Sequence, residues 1–211
     1  VWVAHQDYAV NMSIMEMAEA QNLEEAFAVA EKVRIPVQNL MLADAQGNAG
    51  WRPVGAVTAR KTPTLFAIDE EDYSDLWLLQ EPDLPTHINP SHGRLWTANA
   101  RSISADDFLR YGDGGYAVGA RGLQIRDRLF EKKSFNEKDF YAIQMDNEAR
   151  FIMPWHTKLI NILNKKPDLY AKDIEILAQW KDCACTESIG YTLARRYRST
   201  IINSLLAPIY N

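Results

Sequence analysis

From residue 23 the apolar positions recur at helical spacing: Leu23, Ala26, Phe27, Ala30 and Val33 share one face, and Asn22 with Glu25 three residues later forms a capping-box start. Pro36 stops this helix, since its ring removes a donor and clashes with the preceding turn. Ahead of it, Val1 to His5 alternates like a short strand. Behind it the period changes to two. Residues 38–51, Gln-Asn-Leu-Met-Leu-Ala-Asp-Ala-Gln-Gly-Asn-Ala-Gly-Trp, are two extended runs about a Gly/Asn turn and predict a β-hairpin. The period of two returns after a turn-rich approach from Pro85 to Gly93. There Leu95 and Thr97 face one way and Trp96 and Ala98 the other, which predicts a strand over 94–99 ending in Asn99.

Beyond that strand the pattern turns helical. Ser104-Ala-Asp-Asp107 caps a short helix that Gly112 breaks, and Arg121 starts another that runs to about Lys133. Ser134-Phe-Asn-Glu137 reads as a second capping box. Phe151, Ile152, Trp155, Leu159 and Ile162 keep helical spacing, and two further helices follow over 169–180 and 186–206. The expected fold class is therefore α+β, with a sheet-containing part over 1–133 and a mainly helical segment over 134–211. Residues 61–92, which carry an acidic run from Asp69 to Asp72 and the aromatics Tyr73 and Trp77, are expected as a long surface loop.

Composition narrows the function classes. The chain has 211 residues, 47% hydrophobic and 24% charged, which suits a globular fold. A net charge of -5 with basic residues interleaved among acids argues against a nucleic-acid surface. No window is apolar for long enough to span a membrane. Gly112 to Gly122 is glycine-rich but lacks the spacing of a phosphate-binding loop. His5, His87, His92 and His156 come with no Gly-x-Ser-x-Gly elbow, so a Ser-His-Asp triad is not expected. Cys183 and Cys185 are one residue apart; a disulfide between them is expected to be strained, and a lone Cys-x-Cys is poor evidence for zinc, so no metal site is assigned.

Two classes remain. In the first, Asn99 is a primary amide held at a strand end with its NH2 facing a pocket, a donor suited to developing negative charge; an Asn that merely ends a strand and opens a turn fits the same pattern. In the second, six Trp and nine Tyr line a non-catalytic ligand-binding surface. The position of Tyr73 and Trp77 discriminates the two: a cleft ringed by them and lacking Asn99 favours binding alone.

The run Gly93 to Arg101, ending Thr-Ala-Asn-Ala-Arg, resembles the strand of the penicillin acylase (penicillin amidase) family that ends in an Asn-Asn pair, with Ala100 in place of the second Asn and Ser102 where Pro is common. The hairpin with Gln38, Asn39, Asp44, Gly47 and Asn48, then Gly55 and Arg60, is similar to that family as well. So are Gln144-x-Asp146 and Trp180, although Lys181-Asp182 departs from the family's Trp-Asp-Gly. The resemblance implies a partial αββα N-terminal-nucleophile hydrolase sheet region, with Asn99 as oxyanion-hole donor and Arg121 as its support. It implies amide hydrolysis by a Ser exposed through autoproteolysis, acting on a small-molecule acyl amide. Val1 has no hydroxyl or thiol and no Ser here matches that nucleophile, so the chain is expected to be an internal fragment, inactive alone and working with other segments of one precursor. A periplasmic or secreted location is implied. No cofactor is expected for the chemistry; a calcium ion in the full-length protein is implied, with Asp106 and Asp107 as ligand guesses.

Overall fold

The computed structural model describes residues 3–60, 69, 71 and 80–210. Two compact units divide it, Val1–Leu129 and Phe130–Asn211. The fold class is α+β, as the periodicities predict.

In the first unit, helix α1 (Leu23–Lys32) begins at Asn22, whose side chain accepts from the Glu25 backbone N–H, a cap contributing about 1 kcal/mol. Its buried face is Leu23, Ala26, Phe27 and Ala30. Ala30, Val33 and Val54 form a core with Ile14, Met17, Val29, Ile35 and Leu40 packed against it; burying Val33 completely contributes roughly 1.5–3 kcal/mol. The hairpin forms as β1 (Gln38–Ala43) and β2 (Ala49–Val54), antiparallel with Met41 opposite Trp51. Gly50 lets α1 close on the sheet, because a Cβ there would fall 2.6 Å from the Phe27 ring.

Residues 80–92 of the expected loop are among those described. His87–Ile88 make β3 against β2, completing a three-stranded sheet in the order β1-β2-β3, and Thr58 bridges Gln80. The part with Tyr73 and Trp77 lies outside the described residues. Val1 to His5 is corrected: Val3–His5 is a 3₁₀ turn. The strand expected over 94–99 is corrected too, since 94–98 belong to no strand or helix. A ladder needs a neighbouring strand, and alternation alone does not supply one.

Asp44 ties this unit together. Its carboxylate accepts from the backbone N–H of Gln46 and Asn48, from the Asn48 side-chain amide, and at 3.3 Å from the Leu23 N–H opening α1. These donors, the Asn48 amide first, hold its pKa below the ordinary value. A depressed carboxylate pKa gives stability that is present above the ordinary value of about 3.9 and lost as pH falls through the folded one. Asp44→Asn is therefore expected to lower the melting temperature at pH 7, with the gap closing toward pH 3. Thermal melts at both values check this, and a gap constant with pH would mean that the turn does not use the carboxylate charge.

The second unit is helical: α4 (Glu137–Gln144), α5 (Met153–Leu163), α6 (Pro167–Ala178) and α7 (Ile189–Tyr210), preceded in the first unit by α2 (Ala105–Tyr111) and by α3 (Ala120–Phe130), which ends at the boundary. The expected Ser134–Glu137 box is shifted. Asn136 caps α4 and Asp139 returns the bond, because the amide of Asn136 reaches both Lys138 and Asp139 N–H groups. Ala149, Ile152 and Ala194 form the core here, with Trp180 and Tyr191 against it. The Trp180 indole donates to the Cys183 carbonyl. Cys183 and Cys185 are joined by a disulfide, with Cα atoms 5.3 Å apart, inside the usual range.

Candidate active site

Asn99 sits just past the 94–98 segment, which is fastened from three directions. Helix α3 lies against it, for a Cβ on Gly122 would come 3.9 Å from that of Ala98. Arg94 donates through Nε to the Leu129 carbonyl at the far end of the same helix, 3.1 Å away. The Ala117 N–H donates to the Asn99 carbonyl at 2.8 Å, and this draws the glycine-rich stretch alongside.

The side chain of Asn99 is exposed and its Oδ1 accepts from Nη2 of Arg121. A guanidinium only donates, so the atom facing it is the amide oxygen and the NH2 group is turned away. Arg121 is the second residue of α3, where the helix dipole disfavours a cation; the bond to Asn99 offsets that cost. Both expected site residues are thus brought together.

Asn99 lines a cavity of about 250 Å³ with Asn39, Ala98, Ala100, Ser102, Gly115 and Tyr116 among its walls. Asn39, at the start of β1, is a brace that sequence reasoning placed in the hairpin without a role. Its Oδ1 accepts from the Trp51 indole N–H at 2.9 Å and from the Ser102 hydroxyl at 3.1 Å, which leaves its NH2 toward the Ala98 carbonyl at 3.5 Å. Trp51 in turn stacks on His87. The signal for Asn39 was an amide opening a strand with an indole on the neighbouring strand, 12 residues on, which a single sequence does not connect.

The Ser102 hydroxyl is committed to Asn39, and no His or Lys is among the described residues lining the cavity. None of the four His is among its lining residues: His87 stacks on Trp51, His92 is beside Trp96, His156 is against Trp180, and His5 is in the first 3₁₀ turn. A groove of about 900 Å³ between α1 and the hairpin turn does not include Asn99. Asp106 and Asp107 supply two carboxylates at the start of α2, and Asp107 accepts from the capping Ser104 hydroxyl. Calcium takes six to eight oxygens, and among the described residues no group of three His, Cys, Asp or Glu could hold a metal ion. The pair does not fit that role.

What the arrangement does is hold the Asn99 amide with its oxygen on Arg121 and its NH2 turned away from that guanidinium, beside a small cavity that Asn99 lines. The chain matches the penicillin amidase family over residues 1–210 and belongs to it. The family is one of acylase-like amide hydrolases with small-molecule amide substrates. No curated protein matches the chain. Among the described residues no helix is long and apolar enough to cross a membrane.

Proposed function

We propose that this chain supplies the oxyanion-binding wall of a penicillin-acylase-like amide hydrolase, with Asn99 donating its NH2 to the tetrahedral oxyanion and Arg121 fixing the direction of that amide. The observation that carries it is the Arg121 bond to Asn99 Oδ1, which leaves the NH2 as the free end. An amide so held needs no reorientation as negative charge develops, and such preorganisation is where electrostatic catalysis gains most. Asn39 and Ser102 keep the neighbouring backbone in place. The nucleophile and its α-amine base come from another segment of the same precursor, in a periplasmic or secreted enzyme. No step is routed through calcium.

The test pairs two incubations with an acyl anilide. The purified chain alone is expected to release no aniline above background, and the complete processed enzyme is expected to release it. Turnover by the chain alone would place the nucleophile within these 211 residues and overturn the division of roles.

A further inference from the structure

In the second unit the disulfide of Cys183 with Cys185 sits at a junction that the candidate active site does not use. The residues on either side of Cys183 reach the segment 147–149. The Ala149 N–H donates to the Asp182 carbonyl at 2.7 Å, and the Ala184 N–H donates to the Asn147 carbonyl at 2.8 Å. Residues 148 and 183 are antiparallel bridge partners between these two bonds. The Trp180 indole N–H donates to the Cys183 carbonyl at 2.9 Å, and Trp180 packs against the core that Ala149 forms with Ile152 and Ala194. The loop that carries the disulfide is thus fastened to the core through Ala149 and through Trp180.

Three features leave the bond open to exchange. Both cysteines are half-buried and not sealed within the core. They stand two positions apart in sequence, and so small a ring restrains the unfolded chain far less than a long loop does, which leaves folding little hold on the bond. Finally, Cys185 Sγ accepts from the Asn147 side-chain amide at 3.4 Å. A donor at that sulfur stabilises a thiolate as it forms there. Cys185 is therefore the better leaving group, and Cys183 is the sulfur that is attacked.

We propose that Cys183–Cys185 is a redox-active disulfide, opened by a low-molecular-weight dithiol that attacks Cys183 while Cys185 leaves on the Asn147 amide. The attacking thiolate bonds to Cys183 Sγ, the S–S bond breaks, and its electron pair stays on Cys185 Sγ, which takes up a proton. The second thiolate of the dithiol then displaces Cys183 from the mixed disulfide, and Cys183 Sγ takes up a proton in turn. The dithiol ends as a cyclic disulfide, oxidised by two electrons, and the two cysteines are reduced by the same two. Once open, the loop no longer constrains residues 147–149, and the second unit loses stability. None of this rests on the reading of Asn99.

The test follows reduction of the full chain by dithiothreitol under native conditions, with free thiols counted by alkylation and mass after an acid quench. Reduction is expected to go to completion without denaturant, at a rate that rises in proportion to dithiothreitol concentration. A rate independent of that concentration means that only the unfolded chain reacts, and it overturns the proposal. Asn147→Ala is expected to slow the reaction roughly two- to ten-fold, the loss of one hydrogen bond to the leaving sulfur. An unchanged rate in a folded Asn147→Ala chain overturns the direction of attack. The reduced chain is expected to melt about 2–4 °C below the oxidised one, and identical melting temperatures overturn the coupling of the loop to the core.

Discussion

Asn99→Ala in the complete, processed enzyme is expected to lower kcat by roughly 10²- to 10³-fold, about 2.7–4 kcal/mol of transition-state stabilisation, with KM little changed. The reason lies in when the interaction is made. A carbonyl oxygen in the bound substrate carries only partial charge, whereas the tetrahedral oxyanion carries a full one, so a donor aimed at it acts mainly on the barrier. The side chain of Asn99 is exposed and packs no core, so its removal leaves no large cavity and the effect is not confounded by unfolding. Steady-state kinetics with an acyl anilide check the prediction. A rise in KM with kcat intact would make Asn99 a ground-state contact.

Arg121→Lys is expected to reduce kcat by up to about 10²-fold with the melting temperature nearly unchanged. An ammonium keeps the charge at the start of α3 but loses the planar fork, and its shorter, mobile reach does not specify which end of the Asn99 amide faces it. The NH2 then spends part of its time turned away from the cavity. Because the defect is one of orientation, Arg121→Lys combined with Asn99→Ala is expected to be no worse than Asn99→Ala alone. Additive losses in that double-mutant cycle would show that Arg121 acts on substrate directly instead of through Asn99.

The elements governed by neighbours in sequence were legible. Asn22 and Ser104 cap the helices expected of them, Gly112 ends α2, and the Asp44–Asn48 turn joins the two strands of the hairpin. In each case the donor and acceptor lie within four residues, so local chemistry settles the outcome. The Asn136 cap shows the limit of such reading, for two polar residues two positions apart compete for one helix start and geometry selects between them.

The sequence by itself determined the periodicities, hence the α+β class, and through the residues around Asn99 and Asp44 it determined the family. Tertiary structure alone decided that 94–98 lies outside the three-stranded sheet, because a ladder depends on what stands beside a strand. It alone directed the NH2 of Asn99, since an amide has two ends and only the donor-only guanidinium 22 residues away tells them apart.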